Sequence, residues 1–371
     1  MRWLVAAPAM VIRSGPAVWY EHYWVLPTSV RSGLALTNPE SESKDVTLLI
    51  SDQTVRDHFP MSACIASVES AFAAAGRARL ELVERRVVAA GDGARIHSLS
   101  AASQELGYLF SLVYSGTPTG EDKNVTSVNR RQKVFTLFDV TTGACEAIIG
   151  GRHLSWLNTG AMGAVAIKHL APPDASSLAI IGSGRQARAA LLGALEVRAL
   201  KDVRVWSRRR ENAERLISEF PQVRGIRAVD SVLEAVRSAE MVATVTTSPT
   251  PVVEGAWLRP GCHVNTIGAH YPDRREVDTA TIAGSTVFVD TMTTAAAEKG
   301  ELLLAEREGA FSLADVRAEL GQVVCGAADW ERRPDERTVF ASCGSAVEAF
   351  GAAVGVAAWA RDREVPSFEL A

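Results

Sequence analysis

The sequence predicts an α/β protein, a doubly wound parallel sheet accompanied by a second, mixed α+β part. Three observations carry this. After Pro173, strand-length apolar runs alternate with helix-length segments, the rhythm of a parallel sheet with crossover helices. Before that point, alternating-polarity strands are separated by turns. Between a strand and a helix lies the glycine turn Gly182-Ser183-Gly184-Arg185-Gln186-Ala187.

Residues 1–45 form an N-terminal extension. It carries the aromatic patches Trp3, Trp19-Tyr20 and Tyr23-Trp24, and a polar linker, Asn38 to Lys44, follows. Such patches are too apolar for a free tail and are expected to pack on their own chain or on a partner subunit. Residues 46–150 begin the mixed part. Val46 to Ile50 reads as a strand, Ser51-Asp52 as a helix cap and Ser62 to Ala78 as a helix. Strands follow at Leu80 to Ala90, Ala94 to Leu99, Leu109 to Tyr114 and Lys133 to Asp139, with a long loop before the last. Thr141-Thr142-Gly143 makes a turn into Glu146 to Ile149.

Residues 151–330 carry the α/β rhythm. A helix of small residues (Thr159 to Leu170) precedes strand Leu178 to Ile181, helix Ala187 to Leu195, strand Val203 to Trp206 and helix Arg210 to Glu219. Helix Val229 to Ala239 and strand Met241 to Val245 come next. Strands His263 to Ile267 and Thr286 to Asp290 are expected to complete the sheet. Residues 331–371 end in the apolar helix Ser345 to Arg361, which should be buried.

The bulk numbers fit this outline. A chain of 371 residues, 47% hydrophobic and 22% charged, is an ordinary globular protein long enough for two domains. Its net charge of −4 gives no reason to expect nucleic acid or an anionic membrane as partner. No run of about 18 apolar residues forms a transmembrane helix. Five scattered cysteines without a CxxC pair read as reduced thiols, hence a cytoplasmic protein. Seven histidines without HExxH spacing give no metal site, and Cys262-His263 reads as the buried start of a strand.

A dinucleotide diphosphate must approach backbone N–H groups at a helix N-terminus. Gly182 allows the tight turn out of the strand, Gly184 removes a side chain from the phosphates' path, and Ala187 lets helix pack on strand. Ser183, Arg185 and Gln186 complete the turn of this Rossmann-type NAD(P) site. The carboxyl ends of neighbouring strands add Thr246, Thr247 and Gly268. At the end of the second strand, NAD-binding sheets usually place an acid for the ribose 2′-hydroxyl. Here that position is Ser207, followed by Arg208, which can bind a 2′-phosphate by charge-assisted hydrogen bonds, so NADPH is favoured over NADH.

The stretch from Phe138 to Phe350 resembles the ornithine cyclodeaminase/mu-crystallin family. The matching strings include Phe138-Asp139-Val140-Thr141-Thr142-Gly143, the glycine turn, Gly261 to Ala269, and Pro334-Asp335-Glu336-Arg337-Thr338-Val339-Phe340. Residues 1–45 lie outside the resemblance. The likeness implies a homodimer of two-domain subunits, with a discontinuous substrate and dimerisation domain built from the N-terminal half and the C-terminal helix. It also implies hydride exchange at a carbon bearing nitrogen, on an imine, amine or amino-acid-derived substrate.

The same resemblance implies the substrate residues. Its first carboxylate-binding arginine falls at Arg86, its lysine at Leu109, its second carboxylate-binding arginine at Asn158, and the acid/base aspartate of the cyclodeaminases at His270. Losing that lysine, arginine and aspartate together counts against ornithine cyclodeamination. His270 suits proton exchange with an imine or amine nitrogen near neutral pH. In the loop string Asn129-Arg130-Arg131-Gln132-Lys133, Arg130 and Gln132 are further candidates for substrate binding, and one of the string's cations can replace a lost one. Arg95 and His97 lie on a strand beside the expected site. The expected function is NADPH-dependent imine or ketimine reduction, or the reverse amine dehydrogenation. The alternatives are an amino-acid deaminase of the cyclodeaminase kind and a non-catalytic NADPH-dependent binding protein.

Overall fold

The computed structural model describes residues 46–91, 93–116 and 132–369. The N-terminal extension 1–45 and the candidate Arg130, with Asn129 and Arg131, lie outside the described residues.

Two sheets organise the described chain. The first runs in the order β15 (Ser367–Glu369), β1 (Val46–Ile50), β6 (Cys145–Gly150), β5 (Lys133–Asp139), β4 (Tyr108–Gly116), β3 (Arg95–Ser103) and β2 (Glu81–Ala89). Only the β1–β6 pair is parallel. Its inner face carries Leu99, Ala101, Phe110, Leu112, Phe135, Leu137, Ala147 and Ile149, all buried against α2 (Met61–Gly76), which follows the short α1 (Asp52–His58), and the C-terminal helix Ala346–Arg361. The outer face leaves Val83, Val88, Ile96, Leu109 and Val134 exposed.

The second sheet is wholly parallel among its described strands. Its order is β13 (Ala318–Glu319), β12 (Thr286–Val289), β14 (Thr338–Ala341), β11 (His263–Thr266), β10 (Met241–Thr244), β7 (Ser177–Ile181), β8 (Asp202–Trp206), β9 (Ile226–Ala228). Period-two alternation sends Ala179 and Ile181 into one apolar cluster and Leu178 and Ile180 into another, so both faces are buried. Between β7 and β10 the winding reverses direction. At such a switch point the crevice beyond the strands' carboxyl ends is where ligands bind.

Three differences from the sequence reading have physical causes. Thr338–Ala341 is a strand inserted between β11 and β12, so His263 to Asp290 do not complete the sheet, which continues past residue 330. Its four residues, all buried, are too few for periodicity to announce. The helix expected over Val229 to Ala239 is only Val232–Val236, capped by Ser231 at its start. The helix of small residues, α3 (Leu154–Leu170), begins five residues before Thr159, and so brings Ser155 and Asn158 onto its first turns. His263 is fully buried at the start of β11, bonded to Thr338 (2.9 Å) and Asn265 (2.8 Å), as the reading of Cys262-His263 expected.

The consequential irregularity is in β2. Val83 pairs with Ser100 and Arg86 with Ser98, so Glu84 and Arg85 together oppose Leu99. This β-bulge reverses the parity of everything after it. Simple alternation from the inward Leu82 would send Arg86 inward. The bulge turns Arg85 and Val87 inward and leaves Arg86 exposed.

Candidate active site

A cavity of about 430 Å³ lies where the inner face of the first sheet meets the carboxyl edge of the parallel sheet. One cross-strand row, Lys133–Tyr114–His97–Val87, forms its first wall, each residue paired directly with the next. His97 and Tyr114 stack with ring centroids 4.5 Å apart and planes 4° apart. Lys133 Nζ lies 4.9 Å from the Tyr114 ring centroid and donates to the Ser155 hydroxyl of α3. The next row inward holds Arg85, ion-paired with Glu298 at 2.5 Å. The opposite wall comes from α3 (Ser155, Asn158, Thr159) and from Gln186, Ile267, His270 and Tyr271. Asn158 is 4% exposed.

The third wall is the start of the C-terminal helix. Ser345 caps it and receives Glu348 in return, a capping box buried at the cavity edge. Burial, and next the nearby Asp290 charge, push the Glu348 carboxyl up to about 8. Burial likewise raises Glu84 to about 7, although it accepts a bond from Ala346 N (3.1 Å). Asp290 anchors the loop before the helix through Ser342 Oγ (2.8 Å), Cys343 N (3.0 Å) and Gly344 N (2.8 Å).

The glycine turn has the form a dinucleotide diphosphate needs. Gly182 has φ +125°, and a Cβ there would stand 2.7 Å from the Val245 carbonyl oxygen. A Cβ on Gly184 would meet nothing within 4 Å, so space opens above it. Helix α4 (Arg185–Val197) starts with no side-chain cap, leaving its first N–H groups for an anion. Gln186 Oε1 is buried without a hydrogen-bond partner at the same place. These features fit a nicotinamide dinucleotide. Ser183 Oγ bonds Ser207 Oγ at 2.8 Å just past β8. Arg208 is exposed there and has no carboxylate partner among the described residues, whereas Arg210 is engaged by Glu214 and Asp230.

Two residues not singled out in the sequence hold this edge together. Buried Glu276 accepts from Thr244 Oγ1 (3.0 Å), Thr246 N and Gly268 N (2.7 Å), joining the loops after β10 and β11. The loops touch so closely that a Cβ on Gly268 would stand 2.2 Å from the Thr246 carbonyl oxygen. Fully buried Lys299 donates to Thr266 O (2.9 Å), Ala269 O (3.1 Å) and Ser342 O (3.1 Å) and pairs with Glu301 at 3.1 Å. It thereby fixes the residue before His270 and the loop before Ser345. Nothing local in the sequence marks either residue, because only tertiary folding reveals their burial.

The cavity brings together His270, Asn158 and Gln186 of the expected residues, with Arg95, His97 and Lys133. Three substrate-site expectations are corrected. Arg86 faces away, displaced by the bulge, and Arg85 takes the inward place. Leu109, 40% exposed, lies on the outer face, because the buried Tyr108 and Phe110 fix its parity and Gly107 belongs to the hairpin turn (φ +81°). Gln132 is exposed and outside the lining, whereas its neighbour Lys133 points in. Thr247 is exposed at the sheet edge beside Thr246.

The family model of the ornithine cyclodeaminase/mu-crystallin family matches residues 45–364, nearly all of the described chain. The chain belongs to the ornithine cyclodeaminase/mu-crystallin family. Ketimine reductase mu-crystallin from Mus musculus is 38% identical over 229 residues, covering 62% of this chain and 69% of that protein. Among solved structures, Δ1-pyrroline-2-carboxylate reductase from Thermococcus litoralis, in complex with NADH and L-proline, superposes with a TM-score of 0.77 at 28% identity, over 86% of this chain and all of that one. An archaeal alanine dehydrogenase dimer with bound NAD gives a TM-score of 0.78 at 25% identity over 88% of this chain and all of that one. Both solved structures share the fold of this chain over most of its length.

Proposed function

We propose that this protein is an NADPH-dependent oxidoreductase that reduces the C=N bond of an imine derived from an amino acid, or runs the reverse amine dehydrogenation. One observation carries the reading. A single cavity joins the dinucleotide turn, through Gln186, to His270 on the same wall and to Arg85 and Lys133 facing them. The reductases similar to this chain act on ketimine or pyrroline-2-carboxylate substrates by name, which supports the same bond as the target.

When bound, a reduced nicotinamide supplies a hydride, the electron pair that turns C=N into CH–N. The nitrogen must also gain a proton, and His270 is the group assigned to deliver it. Lys133, beside Asn158 where the family resemblance implies an arginine, holds the substrate carboxylate, with Arg85 below it. Glu276 and Lys299 keep the loop bearing His270 in place. Ser207 and Arg208 support a 2′-phosphate, hence NADPH, since neither is the acid that would repel it. The outer face of the first sheet, with Val83, Val88 and Ile96 exposed, supports burial against a second copy in a homodimer. Five free thiols support a reducing cytoplasm.

The test is an assay of purified protein with NADPH and a panel of cyclic ketimines and imines formed from 2-oxo acids with ammonia or methylamine. Consumption of NADPH matched by amine product is expected. NADPH binding without consumption against every member would leave a binding protein instead.

A further inference from the structure

We propose that the substrate is an α-imino acid bearing a second carboxylate, and that Arg95 is the residue that selects it. This rests on the imine-reductase reading of the cavity. The lining charges lead to it. Arg85 is neutralised by its ion pair with Glu298. Glu348, raised by burial, is chiefly uncharged at neutral pH. Lys133 matches the one carboxylate that every α-imino acid carries. Arg95 remains. It lines the cavity, half-buried, and no carboxylate among the described residues pairs with it.

The register places Arg95 for this role. On β3 it is the next inward position after His97, roughly 7 Å along the strand. It thus stands one row beyond the Lys133–Tyr114–His97 row, opposite Ala89 on β2 and Gly116 on β4. Neither neighbour has a side chain large enough to screen it. A substrate whose α-carboxylate is held in the Lys133 row presents its distal end to the Arg95 guanidinium, whose planar fork suits a carboxylate.

The test is calorimetric titration of the full chain, with and without saturating NADP⁺, using aspartate against asparagine and glutamate against glutamine. Each pair is nearly isosteric and differs by one negative charge. At least one acid is expected to bind tenfold or more tightly than its amide, and raised salt should shrink the ratio. Arg95→Gln should bring the ratio to within about twofold, and Arg95→Lys should restore part of it. Because Arg95 is half-exposed at a strand end, thermal melts of both variants should match the parent. A ratio near one in the parent, no binding of either acid, or an unchanged ratio in Arg95→Gln would overturn the proposal. Turnover of monocarboxylate imines without gain from a second carboxylate would overturn it and leave the reductase reading standing. An acid preference without any imine reduction would overturn the reductase reading and leave only Arg95 as the residue that selects a second carboxylate.

Discussion

Arg85 and Glu298, 213 positions apart in sequence, meet at 2.5 Å and tie the bulged strand β2 to the helix Met292–Glu298 that follows the parallel strand β12. The pair is about three-quarters buried and lies at the floor of the cavity. Removing Glu298 alone leaves a buried guanidinium without its counter-charge. Glu298→Ala should therefore cost about 1–3 kcal/mol of stability, read by urea unfolding. Arg85→Ala strands Glu298 in the same way and, by reshaping the cavity floor, should also raise KM for the imine. Arg86→Ala, on the outer face, should change neither quantity appreciably, and an effect as large as that of Arg85→Ala would contradict the assigned register.

The two glycines of the cofactor turn should fail differently. Gly184→Val adds a side chain into open space and should leave the melting temperature unchanged while abolishing dinucleotide binding. Gly182→Ala places a Cβ on a left-handed backbone, 2.7 Å from a carbonyl oxygen, and should lower the melting temperature itself. Melts and fluorescence titration with NADPH on both variants separate the cases.

Cofactor choice should turn on Ser207. Ser207→Glu puts a carboxylate where a 2′-phosphate is expected. It should weaken NADPH binding by at least tenfold, about 1.4 kcal/mol, and improve NADH. Retained NADPH preference in that variant would place the 2′-phosphate elsewhere.

Glu348 sets a pH dependence of stability. Its carboxyl is held at about 8 when folded against an ordinary 4.5, so the native state keeps a proton that the unfolded chain releases. The stability this contributes is complete below pH about 4.5 and is lost as pH rises towards 8. Glu84, raised to about 7, acts in the same direction. Glu348→Gln retains an acceptor for Ser345 N without the ionisation. The variant should melt at progressively higher temperature than the parent as pH goes from 5 to 8.5, and parallel curves would contradict the burial assigned to this carboxyl.

Much of this was legible in the sequence, and the failures share a cause. The glycine turn, strand Lys133–Asp139 and the capped helix before Arg361 were readable because each depends on local pattern and backbone chemistry. Arg86, placed by its match to a family arginine, faces outward because a bulge is fixed by cross-strand pairing with Leu99, which a string match does not contain. Leu109, where the resemblance implies a lysine, lies outside the cavity because the buried Tyr108 and Phe110 set its parity. Glu276 and Lys299 escaped because a buried charge looks like a surface one until its partners, here backbone groups of three loops, are brought to it. His270 and Asn158 were reached through the family resemblance, and Gln186 through the glycine turn that opens the helix Arg185–Val197.

The central claim is hydride transfer to a carbon–nitrogen double bond in the cavity faced by His270. It is tested most directly with NADPH deuterated at the transferable position of the nicotinamide, and the imine panel analysed by mass spectrometry. Deuterium on the carbon bearing nitrogen in an amine product, lost in Gly184→Val and greatly slowed in His270→Ala, is the predicted result. A protein that binds the labelled cofactor tightly and passes no deuterium to any imine would contradict the account.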